Sequence, residues 1–257
     1  MDFFSAFSWA DSFTLFMLFL LAMLAGWIDS IGGGGGLISI PALLWAGYSP
    51  IEVLATNKLQ SSFGALTATI NYARQGLLNP REHISDIILT FLGSLLGALV
   101  VQRVDSGLLQ RLIPILLIGF ALYLLLSPNL GALPNKPKIT RPLFAATAGF
   151  GIGFYDGFFG PGTGTFFAIA FITLLGYSLP RATASTKLLN FTSNIAALFI
   201  FILSGHVLWL TGLIMACGQI IGSWLGSHMA VKHGSRLIRP LLITVSLLVS
   251  LRLLLAH

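Results

Sequence analysis

Long runs of apolar residues dominate the chain and are separated by short polar stretches. A helix of about 18–20 apolar residues crosses the hydrocarbon core of a membrane, whereas a transmembrane β-barrel shows short strands of alternating polarity. The apolar runs here are continuous: Phe13–Ile28, Ile87–Val101, Leu112–Leu126, Phe191–Leu203 and Leu237–Leu255. The pattern therefore predicts an all-α polytopic membrane protein.

The sequence also repeats itself at a constant offset. A glycine-rich segment follows Asp29 and again Asp156, and beyond it Ala55-Thr-Asn-Lys58-Leu aligns with Ala184-Ser-Thr-Lys187-Leu, 129 positions later. Small residues recur at the same offset in Gly93-Ser-Leu-Leu-Gly97 and Gly222-Ser-Trp-Leu-Gly226, a spacing that suits helix–helix contact. This predicts a first transmembrane repeat, a linker and a second transmembrane repeat, at residues 1–127, 128–140 and 141–257.

Each repeat shows the same order of elements. A full helix (13–30 and 141–158) meets the glycine-rich break, and a short apolar piece follows at Leu37–Trp45 and at Phe166–Leu175. About ten helical residues cover only about 15 Å, so the short pieces are predicted to be half-membrane or re-entrant helices. Three longer helices then complete each repeat: 50–73, 84–102 and 108–126 in the first, and 179–203, 207–230 and 236–256 in the second.

The distribution of lysine and arginine indicates how often each repeat crosses the membrane. Five crossings per repeat, counting the short piece, place nine basic residues on one side: Arg74, Arg81, Lys136, Lys138, Arg141, Arg181, Lys232, Arg236 and Arg239. The opposite side then receives three: Arg103, Arg111 and Arg252. Four crossings per repeat give an even split. Because cytoplasmic loops are enriched in Lys and Arg, we predict inverted repeats of five crossings with both termini outside; without the short pieces, eight long spans remain.

The amino-acid composition limits the classes of protein to which the chain can belong. Only 9% of the residues are charged, against about 25% in ordinary soluble domains. The basic residues of the predicted cytoplasmic loops explain the net charge of +6, which therefore does not indicate nucleic-acid binding. The single cysteine, Cys217, cannot form an intrachain disulfide, and no metal-site spacing of Cys and His occurs. We expect no metal and no cofactor, and a first helix that is retained, because no basic residue precedes it as in a signal peptide.

The glycine-rich breaks are the first candidate site. Glycine lets a ligand approach the backbone closely, and the N-terminus of the short helix after each break attracts anions. The alternative is that these glycines only permit close helix packing. The candidate substrate-binding residues at the breaks are Gly33, Gly34, Gly35, Gly36, Gly162, Thr163, Gly164 and Thr165.

Two lysines are predicted to lie inside the membrane. Lys58 and Lys187 stand about eight residues into long helices, roughly 12 Å deep, where a charge is costly and is by default a functional candidate. Asn57, Thr186 and Asn190 lie nearby and predict a hydrated, substrate-binding cavity. The alternative is that each lysine side chain extends to the membrane surface.

Asp29 and Asp156 precede the two breaks. They could pair with a lysine or bind a coupling proton, or they could serve structurally by capping backbone N–H groups. Two aspartates in membrane helices also occur in intramembrane proteases, but Asp29 lacks the Gly-x-Gly expected before it. Duplication alone explains the pair, so we expect no enzyme.

Together these motifs resemble a known family. Gly26-x-Ile-Asp29-Ser-Ile followed by five glycines, Ala55-Thr-Asn-Lys58-Leu-Gln and Gly153-Phe-Tyr-Asp156-Gly-Phe-Phe-Gly-Pro are similar to the TauE/SafE sulfite-exporter (TSUP) family, and most to its YfcA-like members. The resemblance covers essentially the whole chain. It implies a permease of the bacterial inner membrane and, as substrate, sulfite, an organosulfonate or another sulfur-containing anion.

The sequence therefore predicts a secondary transporter of a small anion, since no nucleotide-binding motif is present. An anion channel and a non-transporting membrane subunit of a complex are the alternatives. The expected partners are the anion, the lipid bilayer and a coupling proton. The substrate, the direction of transport and the oligomeric state, homodimer or other, are left open.

Overall fold

The computed structural model describes residues 9–126 and 136–233, and every regular element in these ranges is helical. The elements of the first repeat are α1 (Trp9–Gly32), α2 (Gly36–Trp45), α3 (Pro50–Arg74), a 3₁₀ turn (Pro80–His83), α4 (Ile84–Val101) and α5 (Ser106–Leu126). Those of the second are α6 (Arg141–Phe144), a π-helical turn (Ala145–Gly149), α7 (Phe150–Phe158), α8 (Thr163–Leu175), α9 (Leu179–Leu203) and α10 (Trp209–His233).

The helices predicted within the described ranges are confirmed to within a few residues at each end. The predicted helix at 236–256 lies outside the described residues, as do Arg236, Arg239, Arg252 and part of the linker. One feature was not predicted: α6 and α7 form a single helix interrupted by a π-helical turn. The carbonyl of Gly149 in this turn accepts a hydrogen bond from Thr90 of α4 at 3.1 Å, a contact between distant segments that no local pattern indicates.

The starts of the long helices follow from local chemistry. The backbone N–H and the hydroxyl of Ser49 both donate to Glu52, at 3.0 and 2.6 Å, and Pro50 occupies the first helical position, where its missing N–H costs nothing. Ser178 holds the same position before α9 with extended backbone. These caps place Lys58 and Lys187 at the same depth in α3 and α9.

Contacts between the two repeats are reciprocal. α1 packs on α10 just as α7 packs on α4, and α3 packs on α9. A Cβ atom at Gly222 would lie 1.9 Å from the carbonyl oxygen of Met23, and one at Gly93 would lie 2.2 Å from that of Phe150. Met23 and Phe150 precede Asp29 and Asp156 by the same six residues. The small residues predicted to serve helix contact therefore do so, with equivalent partners in the opposite repeat.

The direction of the helices can be read from the order of these contacts. Gly222 meets Met23 and Gly226 meets Trp27, so α10 and α1 run in the same direction. In α3 and α10, Leu59 lies near Gly212 and Asn71 donates to Ser227, which makes this pair parallel as well. Because α1 and α3 share one direction, the first break and α2 must reverse the chain between them.

The outside of the helix assembly is apolar and much of its inside is polar. Four described helices are long and apolar enough to cross a membrane: Ser12–Gly32, Pro80–Val101, Leu179–Leu203 and Trp209–Ala230. α3 has a similar length but lower mean hydropathy, because its buried face carries Thr56, Asn57, Lys58 and Gln60. The large apolar side chains exposed on α4 and α10 include Ile88, Leu92, Leu96, Leu99, Leu213, Ile220, Ile221, Trp224 and Leu225. An exposed apolar surface around a polar interior is what a lipid environment requires.

A buried polar cluster joins the two repeats near the start of α4. His83 Nδ1 lies 2.9 Å from Asp86 Oδ2, and Arg141 Nε donates to the same oxygen at 3.2 Å. Ser185 of α9 lies 3.2 Å from His83 Nε2, and Arg181 pairs with Glu82 at 2.8 Å. Gly212 and Met215 hold the repeat-equivalent positions of His83 and Asp86. The cluster therefore exists at only one of the two equivalent places.

Candidate functional site

The two glycine-rich breaks meet at the centre of the molecule. A Cβ atom at Gly33 would lie 2.7 Å from the backbone of Gly164 and Thr165, and one at Gly36 would lie 3.3 Å from Pro161. Gly33 and Gly162 have positive φ, at 78° and 84°, which glycine adopts without strain. Backbone thus meets backbone where the chain reverses, and only residues without side chains allow that approach.

Each lysine pairs with the aspartate of the opposite repeat. Lys58 Nζ lies 2.9 Å from Asp156 Oδ1, and Lys187 Nζ lies 3.0 Å from Asp29 Oδ2. Lys187 also donates to the backbone carbonyl oxygen of Asp29. Both lysine side chains are only 1% exposed. Neither lysine extends to the surface, and the two pairs cross between the repeats.

The same two aspartates also hold the breaks. The N–H of Gly35 donates to Asp29 Oδ1 at 3.1 Å. The Thr163 hydroxyl shares its single proton between Asp156 Oδ1 at 2.9 Å and the carbonyl of Gly160 at 2.6 Å. Both donors stand at the start of the short helices α2 and α8. Pairing with lysine and capping of the break, which the sequence left as alternatives, therefore occur together.

A polar cavity lies between the breaks. Its lining consists of Asp29, Gly34, Gly35, Gly36, Asn57, Ser61, Asp156, Gly160, Gly162, Thr163, Gly164, Asn190, Asn194 and Gln219. The cavity volume is about 30 Å³, enough for about two waters. Asp156 Oδ2, Asn190 Oδ1 and Thr186 Oγ1 are buried near it without a hydrogen-bond partner.

Most of the predicted site residues line this cavity, and the others stand directly behind it. Gly33 forms the contact between the breaks, and Thr165 donates to the carbonyl of Gly32 at 3.2 Å. Lys58 and Lys187 do not line the cavity themselves, but each contacts an aspartate that does. Thr186 is buried beside Lys187, and its hydroxyl makes no hydrogen bond.

Sequence reasoning missed four residues of the lining: Ser61, Gly160, Asn194 and Gln219. Ser61 is the repeat equivalent of Asn190, and Asn194 follows Asn190 by one helical turn, so both signals were present in the sequence. Gln219 is an amide within an apolar run, and it donates to Gln60 at 3.2 Å. Its place at the cavity depends on the packing of α10 against α3, which the sequence does not show.

The formal charges at the centre cancel, because two ammonium groups face two carboxylates. The helix N-termini of α2 and α8 add partial positive charge at the same place. Among the described residues no group of His, Cys, Asp and Glu side chains is arranged to hold a metal ion. The site is therefore suited to a polar solute that can compete with an aspartate for its lysine.

Comparison with known proteins identifies the family. The model of the sulfite exporter TauE/SafE family matches residues 18–253. This chain belongs to the TauE/SafE family. Over 254 residues it is 47% identical to "Probable membrane transporter protein YfcA" of Escherichia coli K12, covering 99% of this chain and 94% of the relative.

Two further relatives also match over most of their length. "Probable membrane transporter protein ORF9" of a Sinorhizobium species is 47% identical, with 93% of this chain and 92% of the relative covered. A "Probable membrane transporter protein" of Haemophilus influenzae is 42% identical, with 93% and 94% covered. No solved structure matches the chain significantly. The family and these names support a membrane transporter rather than an enzyme.

Proposed function

We propose that this TauE/SafE protein is a secondary transporter that carries a small sulfur-containing anion, such as sulfite or an organosulfonate, across the bacterial inner membrane. The observation that carries the proposal is the pair of crossed lysine–aspartate contacts where the two breaks meet. Two buried lysines directly behind the lining of one polar cavity offer positive charge to an anion. The family description, sulfite exporter, supports the choice of a sulfur oxyanion.

The anion is proposed to bind between the N-termini of α2 and α8. The residues that begin these helices line the cavity, and discontinuous helices whose N-termini face a central site are a recurrent way to bind anionic groups in transporters. Lys58 and Lys187 stand behind the lining, each held by a carboxylate. An anion entering the cavity competes with these carboxylates, so binding is coupled to a change in the contacts between the repeats.

We also infer that the two repeats, residues 1–127 and 141–257, are inverted, with each break and short helix counted among five crossings. The parallel course of α1, α3 and α10 supports this, because α2 must then bring the chain back before α3 crosses. The described basic residues also support it. Seven fall on the proposed cytoplasmic side and two, Arg103 and Arg111, on the other; the seven are Arg74, Arg81, Lys136, Lys138, Arg141, Arg181 and Lys232.

A carrier fits the cavity better than a channel does. The space between the breaks holds about two waters, and the side chains around it are held by buried hydrogen bonds. A channel needs a continuous wet path, whereas a carrier closes around its site and opens to one side at a time. Saturation and uphill movement of the anion distinguish the two.

The test is flux of labelled sulfite and of a two-carbon sulfonate into proteoliposomes, with and without a pH gradient. We expect saturable flux for the wild type and at least a tenfold loss in Lys58→Gln. The matched control is Lys138→Gln, which removes an exposed lysine and should keep wild-type flux. Each variant is first shown to be folded by gel filtration.

Three outcomes would contradict parts of the proposal. Full flux in Lys58→Gln would remove the lysine from the mechanism. Flux that never saturates and never runs uphill would indicate a channel. No flux of either anion through folded wild-type protein would remove the sulfur-anion assignment and favour a non-transporting subunit.

A further inference from the structure

The two aspartates of the site are repeat-equivalent, but their hydrogen bonds differ. Both oxygens of Asp29 are occupied, Oδ1 by the N–H of Gly35 and Oδ2 by Lys187. In Asp156 a single oxygen, Oδ1, accepts from both Lys58 and Thr163, and Oδ2 has no partner. The side chain of Asp29 is 22% exposed and that of Asp156 only 4%. Thus the more buried carboxylate is the one with an oxygen that accepts no hydrogen bond from the protein.

A buried carboxylate oxygen that no protein donor reaches is costly, because its charge is not balanced by a hydrogen bond from the protein. A proton on that oxygen removes the formal charge and turns an acceptor into an O–H donor. The cavity that Asp156 lines also contains Asn190, whose Oδ1 is buried and lacks a donor. Oδ2 of Asp156 is thus the one aspartate oxygen of the site that no protein donor occupies, whereas both oxygens of Asp29 accept a hydrogen bond.

We propose that Asp156 takes up the coupling proton on Oδ2, and that this releases Lys58 to bind the transported anion. This inference rests on the proposed function. In the step, a hydronium ion from the aqueous side gives up one proton, its O–H bond breaks to leave water, and a new O–H bond forms at Oδ2. The Lys58 ammonium keeps its three protons and loses its counter-charge. The four charged groups then sum to +1 instead of zero, which one monovalent anion neutralises. Proton and anion move together as a neutral pair.

The other charged and polar groups near Asp156 come from the helices packed around it. Besides Lys58 of α3, α1 contributes Asp29 to the same cavity and Lys187 of α9 pairs with Asp29. The Tyr155 hydroxyl, on the same helix as Asp156, donates to the carbonyl of Pro161 at 2.7 Å. Next to Asp156, α8 and α4 supply hydroxyl and backbone groups, from Thr163, Thr90 and Ser94. The charged Asp86 of α4 lies near Gly149, seven residues before Asp156. Of the two carboxylates, only Asp156 has an oxygen that no protein donor reaches.

The first measurement is proton uptake when a sulfonate binds to purified protein in weakly buffered detergent solution. A sulfonate stays ionised over the pH range used, so any proton taken up goes to the protein. We expect close to one proton per bound sulfonate for the wild type and for Lys138→Gln, which changes an exposed residue away from the site, and none for Asp156→Asn. Wild-type affinity should fall about tenfold per pH unit on the alkaline side, as the linkage of one proton requires, and that of Asp156→Asn should not change with pH.

The second measurement is transport. In proteoliposomes Asp156→Asn should still exchange sulfonate for sulfonate but should no longer accumulate it when a pH gradient is imposed. Thr163→Val keeps the carboxyl group and removes a donor to its ionised form. It should therefore raise the pH at which sulfonate binding is half-maximal, which tests the same group even if Asp156→Asn fails to fold.

The outcomes separate this inference from the proposed function. Sulfonate binding and flux in the wild type without proton uptake, or gradient-driven accumulation that persists in Asp156→Asn, would overturn the assignment to Asp156 and leave an anion transporter. Loss of proton uptake in Asp29→Asn alone would move the site to the other carboxylate. A wild type that neither binds nor moves the sulfonate would remove both proposals.

Discussion

Lys58 and Lys187 are among the most buried side chains of the described protein, although each carries an amine. A lone charge at this depth would be expensive, and its pairing with a carboxylate offsets only part of that cost. A buried ion pair is therefore weak support for stability as such, because apolar residues of similar volume can serve as well. Its retention at two equivalent positions is better explained by a solute that uses the charges.

The first prediction concerns the pair formed by Lys187 and Asp29. Lys187→Met leaves a carboxylate facing the cavity without its cation and should destabilise the fold by about 3–5 kcal/mol. The double variant Lys187→Met/Asp29→Asn removes both charges and should recover more than half of that loss. Both losses of stability are measured by thermal unfolding in detergent, which is monitored by gel filtration of heated samples. A single variant as stable as the wild type would show that the pair is not closed in the resting protein.

At the scale of helices, glycine decides how closely the repeats approach. Gly153 and Gly157 of α7 face α4, and a Cβ atom at these positions would lie 2.5 and 2.0 Å from the carbonyl oxygens of Thr90 and Ser94. Gly151, on the same helix, has open space where its Cβ would be. The contact is backbone against backbone, so the neighbouring helix cannot yield by rotating a side chain.

The second prediction follows from that difference. Gly157→Ala should separate α7 from α4, lower the unfolding temperature clearly and weaken transport, because Asp156 moves with the helix. Gly151→Ala should leave stability unchanged or raise it by up to about 1 kcal/mol, as expected for alanine in a helix interior. Both variants are compared by thermal unfolding and by sulfonate flux. Equal effects of the two substitutions would mean that helix propensity, and not close packing, governs α7.

The helices and the breaks could be predicted from the sequence, whereas the pairing across the site could not. Apolar runs and glycine clusters are local signals, and each of them occurs in both repeats. Lys58 could be recognised as buried from its place in α3, but its partner is Asp156, 98 residues away, and nothing in either segment indicates which aspartate it meets. The π-helical turn and the cavity position of Gln219 likewise depend on packing against another helix.

At the scale of the whole molecule, reciprocal contacts make the two repeats equivalent and the polar cluster around His83 and Asp86 makes them unequal. The cluster ties the start of α4 to α6 and α9. At the other equivalent place, the segment before α3 meets α10 through the Tyr48 and Thr211 hydroxyls, 3.1 Å apart. Within the described residues the two equivalent places therefore differ, because the charged cluster stands at the start of α4 and not at the start of α10.

The last prediction tests that orientation with two equivalent positions. Gln75 follows α3 and Ser204 follows α9, 129 positions later, each just before a glycine with positive φ. If the repeats are inverted, these loops lie on opposite sides of the membrane, although their sequences correspond. In a Cys217→Ser background, which removes the native exposed cysteine, Gln75→Cys should react with an impermeant maleimide only after the cytoplasmic face is opened. Ser204→Cys should react in intact spheroplasts. Labelling of both from one side would require parallel repeats and an even number of crossings in each, and the basic residues would then no longer favour one face.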